Sequence, residues 1–160
     1  MARNLTLIVA LIVICLSFDA AACSCGSTNI KEVVDTSKHV FVAEITSAQK
    51  NPDADKVWKS VSADFEIVDV IKGAPQELER LYSGFGGGDC GIPFLVGHKL
   101  IVFTNDGTAT TCGATRSIGI FADDNEYIAL LKSYVENGIE FDFDSYPAVA
   151  GVAILDCEKP

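Results

Sequence analysis

The chain has 6 cysteines, and five of them follow Ala22: Cys23, Cys25, Cys90, Cys112 and Cys157. The first two enclose a single residue, Ser24. Thiols at that spacing have three chemistries open to them. Reduced, a C-x-C pair can bind copper or zinc, but no second ligand cluster accompanies this one. Bridged to each other, the two would be badly strained. Bridged to distant partners, they would tie the segment to the body of the protein. Disulfides persist in exported proteins, and Cys90 and Cys112 bracket a strand-rich stretch, which makes them the natural partners. Cys157 is then left over, either free or the link of a disulfide dimer.

Other residue types offer less. Gly86-Gly87-Gly88 lacks the Lys-Ser or Lys-Thr of a phosphate loop and reads as a flexible loop. The 2 histidines, His39 and His98, are too few for a three-histidine zinc site. Each lies at a strand edge, where a surface or capping role is expected. Trp58, at a strand start, reads as a packing or rim residue. Asp123 and Asp124 suit a helix start better than a metal. Glu140, Asp142 and Asp144 alternate with Phe141 and Phe143, as in an edge strand or docked tail; weak calcium binding is the minor alternative. No G-x-S-x-G or H-E-x-x-H is present, so an enzyme is disfavoured and no cofactor of its own is expected. Lys plus Arg number 12 against 22 Asp plus Glu, a net charge of -10. With no basic face, neither nucleic acid nor an anionic membrane surface is an expected partner.

The leader explains why disulfides are expected. Arg3 precedes an apolar run over 5–16, and Ser17-Phe18-Asp19-Ala20-Ala21-Ala22 ends in small residues. This is the pattern of a secretory signal peptide over 1–22, too short for a span of about 20 apolar residues. Two processing routes then meet at Cys23. Cleavage after Ala22 leaves a free amine on Cys23 and a secreted, extracellular protein. Lipidation of Cys23 would anchor the chain to the cell envelope, although Ala20 stands where that pathway usually has Leu.

The elements that must position these residues follow from periodicity. Residues 29–37 read as a short helix capped by Ser27 or Thr28. Residues 40–48 read as a strand with Val40, Val42 and Ile45 inward, and Asn51-Pro52-Asp53 as a turn. In 57–71, Val57, Val61, Ala63, Phe65 and Ile67 alternate with mostly polar residues; the phase then shifts to Val68 and Val70, which predicts a bulge near Ile67. Shorter strands are expected over 78–83 and 99–104, the latter turning at Asn105-Asp106-Gly107 into 108–114. A helix over 124–137 opens with Asp123 and Glu126 in capping-box spacing and ends at Gly138. With 49% hydrophobic residues the chain supports one domain, 23–138, and a C-terminal tail of uncertain packing, 139–160. The expected class is mainly β: a five-stranded OB-like Greek-key barrel with peripheral helices at 29–37 and 124–137. A flat sandwich is the runner-up.

Cys23-Ser24-Cys25 at the cleavage point, with Cys90 and Cys112 downstream, resembles the N-terminal domain of the tissue inhibitors of metalloproteinases, in the netrin-like group. The likeness covers roughly 23–117. His39-Val40-Phe41-Val42-Ala43-Glu44-Ile45 resembles the family's first strand, and Phe65-Glu66-Ile67-Val68-Asp69-Val70-Ile71-Lys72-Gly73 its second. His98-Lys99-Leu100-Ile101-Val102-Phe103 and Thr110-Thr111-Cys112 resemble a later strand and the hairpin with the last cysteine. The chain departs from the pattern in lacking a third bridge and the second, cysteine-rich domain of the animal inhibitors. Gly26-Ser27-Thr28-Asn29 stands where they carry Pro and His. It looks like a single-domain, bacterial-type relative.

The resemblance implies bridges Cys23–Cys90 and Cys25–Cys112 and a zinc metalloproteinase as protein partner. It implies inhibition through the target's zinc, whose open position takes a ligand. The free amine and carbonyl of Cys23 would chelate that zinc in a five-membered ring. An α-amine of pKa about 7.7–8.0 gives up its proton readily near neutrality. Ser24 would enter the specificity pocket, and the inhibitory ridge would comprise Cys23, Ser24, Cys25, Gly26, Gly88, Asp89 and Cys90. The alternative is a non-inhibitory netrin-like binding module, possible as a lipid-anchored form through Cys23.

Overall fold

A computed structural model describes residues 29–86, 88–119 and 124–139. The signal peptide expected over 1–22, the expected ridge residues Cys23, Ser24, Cys25 and Gly26, and residues 140–160 lie outside the described residues, as does Asp123. The fold is mainly β. Strands β1 (His39–Lys50), β2 (Val61–Lys72), β3 (Leu81–Ser83), β4 (Lys99–Thr104) and β5 (Arg116–Ile118) form one antiparallel sheet in the order β3-β2-β1-β4-β5. By strand pairing the sheet is open. Helix α1 (Ile30–Thr36) precedes it and α2 (Asp124–Asn137) follows it.

β1 is central, and its burial follows from that. Val40, Val42, Ile71, Ile101 and Phe103 pack under Ile30 and Val34 of α1 and Tyr127 and Leu131 of α2. On the opposite face Phe41, Ala43, Ile45, Leu100 and Val102 meet Ala63, Leu81, Ile92 and Phe94. Val40, Val42 and Ile45 are inward as the alternation requires, but Phe41 and Ala43 are buried as well. The helices cover one face while loop residues cover the other, which explains the unbroken apolar run.

β1 and β2 pair along nearly their whole length with three register shifts. One falls between Val42 and Ala43, whose partners are Asp69 and Ile67, so Val68 is the extra residue. The bulge expected near Ile67 is therefore present, one residue on. Such shifts bend and twist a strand pair.

Several expectations need correction. Val57 does not begin β2: Val57–Lys59 is a 3-10 turn, and Val57 is exposed. Asn51 closes the hairpin there, its N–H bonding Ser60 O at 2.8 Å and its Nδ2 donating to Lys59 O at 2.9 Å. Trp58, on the same turn, is half exposed, with the Lys56 ammonium 5.8 Å from its ring. The third strand is shorter than 78–83. Residues 108–114 are not the partner of β4; that partner is β5. Instead, Tyr82 N–H donates to Gly107 O at 2.9 Å and Ala109 N–H to Tyr82 O at 2.8 Å, so 107–109 meets the β3 edge. Asn29, whose side chain accepts the Lys31 N–H at 2.9 Å, caps α1.

α2 has the expected bounds, and Gly138, at φ 65, closes it with its N–H on Tyr134 O. Its first turn is fixed by Asp124, which accepts from Gly119 N–H at 2.6 Å and from Arg116 Nη1 at 3.0 Å. The Arg116 guanidinium lies 4.8 Å from the Tyr127 ring centre. Burial pushes the Tyr127 hydroxyl up to about 12, against the opposing charge of Arg116. Among the described residues no helix is long and apolar enough to cross a membrane.

Candidate functional site: the loop between β3 and β4

The site is built outward from β3. Ser83 is fully buried; its hydroxyl donates to Ala109 O at 2.7 Å and accepts the Ile92 N–H at 2.7 Å. One side chain thus joins β3 to the two segments that carry Cys90 and Cys112. The chain then loops out at Gly84 and returns at Gly91, and the two backbones nearly touch. A Cβ on Gly91 would stand 2.5 Å from Gly84 C, and one on Gly84 would stand 2.5 Å from Asp89 Oδ2. Only glycine fits at this crossing.

Asp89 organises the loop from inside. Its carboxylate accepts backbone N–H groups from Phe85 at 2.7 Å, Gly86 at 3.0 Å and Gly91 at 3.0 Å. Burial acts to raise its pKa, but the N–H groups of Gly91, Phe85, Gly86 and Asp89 itself prevail and hold it below the ordinary carboxylate value. The backbone at Phe85, Gly86 and Gly91 is therefore tied together by an anion. Gly88 is exposed, with open space where a Cβ would stand.

Cys90 follows with φ 57, in the left-handed region that non-glycine residues rarely adopt. Its carbonyl accepts the Thr111 N–H at 3.0 Å and the Thr111 hydroxyl at 3.1 Å. Gly91 bridges Thr110 antiparallel. Cys112 sits on the 3-10 turn Thr111–Gly113, capped by the Thr110 side chain on Gly113 N–H. Cys90 and Cys112 are both disulfide-bonded. Three of the expected ridge residues, Gly88, Asp89 and Cys90, thus lie on one loop, beside the segment that carries Cys112. The expected partners, Cys23 and Cys25, lie outside the described residues, as do Ser24, Gly26 and Cys157.

Two residues here escaped the sequence reading. Ser83 and Thr111 fix the two cysteine segments, and nothing in their local sequence marks them. Phe85 is 61% exposed beside the carboxylate cradle, an aromatic held out by a pinned backbone.

The histidines separate. His98 is exposed, as a surface role requires. His39 is not at the surface: it is 1% exposed, and its Nδ1 accepts the Ala74 N–H at 3.1 Å. Burial lowers its pKa, as does the neighbouring Lys38 charge, with Glu77 opposing. It is a neutral structural acceptor. Among the described residues no group of three or more His, Cys, Asp or Glu is gathered as a metal site requires. No protein-family model matches the chain, and no curated protein matches it.

Proposed function

We propose that the protein is a secreted inhibitor of zinc metalloproteinases that acts through the amine and carbonyl of Cys23. The observation that carries this reading is the pairing of two disulfide-bonded cysteines at neighbouring backbone positions. Cys90 O is hydrogen-bonded to Thr111, the residue before Cys112. A Cys-x-Cys segment in extended form sets its first and third residues on one side of the chain, about 7 Å apart. Two anchors on adjoining segments suit such a segment, with bridges Cys23–Cys90 and Cys25–Cys112. Fastened at both ends, Cys23-Ser24-Cys25 would lose little further entropy on entering a proteinase cleft. The Asp89 carboxylate supports the same reading, since it stiffens the loop that would lie beside the terminus.

The finer fold class belongs to the same proposal. An OB-like, Greek-key barrel is supported by the bent β1–β2 pair and by the hydrogen bonds from Tyr82 N–H to Gly107 O and from Ala109 N–H to Tyr82 O, which draw the chain after β4 towards the β3 edge. Membership of the netrin-like group rests on the cysteine pattern and on this architecture together.

The test uses the exported chain. Its intact mass establishes whether Cys23 carries a free amine or an acyl group. The free-amine form and a form with one added Ala before Cys23 are then titrated against a panel of zinc metalloproteinases. Inhibition by the first and none by the second is expected. Equal inhibition by both, or an acylated Cys23, overturns the mechanism; no inhibition across the panel overturns the function.

A further inference from the structure

β2 is flanked on both sides only over its first three residues. β3 covers Val61, Ser62 and Ala63, and over 64–72 no described residue pairs with the side away from β1. Along this edge Ile67, Val68 and Val70 are 37%, 48% and 44% exposed. An apolar, unpaired edge is a template for another strand.

The course of the chain and its charge indicate the occupant. Gly138, just past α2, lines a cleft of about 320 Å³ together with Lys72, the last residue of β2. The chain therefore leaves α2 at the Lys72 end of this edge. Residues 148–155 read Ala-Val-Ala-Gly-Val-Ala-Ile-Leu, with no charge. Residues 140–147, extended at about 3.3 Å each, reach about 26 Å, the length of 64–72 itself. A second copy is a poor occupant. Glu66 is exposed on the edge, while Asp69 is paired with Lys132 at 2.7 Å, and two copies of a chain with net charge -10 would repel each other. A neutral segment meets no such repulsion.

We propose that residues 148–155 add as a further strand to the outer edge of β2 in the same molecule and cover Ile67, Val68 and Val70. The segment would then complete the sheet in cis, in the manner of β-strand addition. This inference is independent of the inhibitory reading.

Hydrogen exchange on the exported full chain tests it, followed residue by residue over β2. The β2 amides that face away from β1 are expected to exchange slower than those of the 52–56 turn by roughly 100-fold or more. That protection is expected to be independent of protein concentration. It is expected to vanish in the V149D/V152D/I154D variant while β1 and β4 stay protected. Fast exchange of these amides in the unmodified chain overturns the proposal, and needs no variant. Protection that grows with concentration assigns the edge to a second copy and also overturns it. So does protection unchanged by the three aspartates.

Discussion

Asp89 accepts the backbone N–H of Gly91 at 3.0 Å, reaching across the half-cystine Cys90 that lies between them. The same carboxylate holds Phe85 and Gly86 on the outgoing side of the loop. Cys90 keeps φ 57 inside this clasp, so part of its backbone strain is offset by charge-assisted hydrogen bonds.

Asp89→Ala should therefore loosen the loop without unfolding the sheet. Three N–H groups lose an anionic acceptor but lie near water, so a cost of about 1–3 kcal/mol is expected. Chemical denaturation should show it, and inhibition should weaken while β1 and β4 exchange stays slow. Asp89→Asn keeps the shape and loses the charge, and should fall between. The sign with pH follows from the depressed pKa. The stabilisation is present above the ordinary Asp value of 3.8 and is lost as pH falls through the lower folded value. The Asp89→Asn chain should lose that part of the acid sensitivity.

Gly91→Ala makes a different break. Its Cβ would meet the Gly84 carbonyl carbon at 2.5 Å, and backbone cannot swing aside as a side chain can. Overpacking of this kind costs about 1–3 kcal/mol. Gly88→Ala has open space around it and serves as the control. A melting temperature lowered by the first and unchanged by the second is the expected pair of results.

Much of this was legible in local pattern. Strand β4, helix α2 and the bulge beside Ile67 follow from alternation, helical spacing and a change of phase, all local properties. The burial of Phe41 and Ala43 was not legible, because it depends on Leu81, Ile92 and Phe94, which arrive much later in the chain. The same holds for 107–109, whose partner is Tyr82 rather than the adjacent β4. At the candidate site, the family resemblance carried by the cysteines brought Asp89 and Cys90 into view. That Asp89 works as an internal acceptor depends on a loop closed by Gly84 and Gly91, and on Ser83 tying three segments. Those are tertiary facts that residue types alone do not carry.

The pair Arg116 and Asp124 tests what holds α2 to the sheet. Asp124 is 5% exposed and takes both the Gly119 N–H and the Arg116 guanidinium. Removing one member of a buried pair leaves the other uncompensated, at about 3–5 kcal/mol. Asp124→Ala should lower stability by this order in a denaturant titration. Arg116→Met, which removes the charge and keeps apolar contact with Tyr127, leaves the more buried Asp124 carboxylate without the Arg116 charge and should cost about as much.

His39 gives the clearest dependence near neutral pH. Its Nδ1 accepts the Ala74 N–H, and protonation would set an N–H donor against a donor. The folded pKa lies below the ordinary histidine value of 6.5, chiefly through burial and then through Lys38. Between the two values the unfolded chain binds more protons than the folded one, so stability falls as pH falls. The contribution is whole above pH 6.5 and fades towards the folded pKa. His39→Asn places an amide oxygen near the position of Nδ1 and does not titrate. Melting temperatures measured from pH 7.5 to 5.5 should slope downward for the unaltered chain and lie flatter for His39→Asn. Parallel slopes would place the titrating group elsewhere.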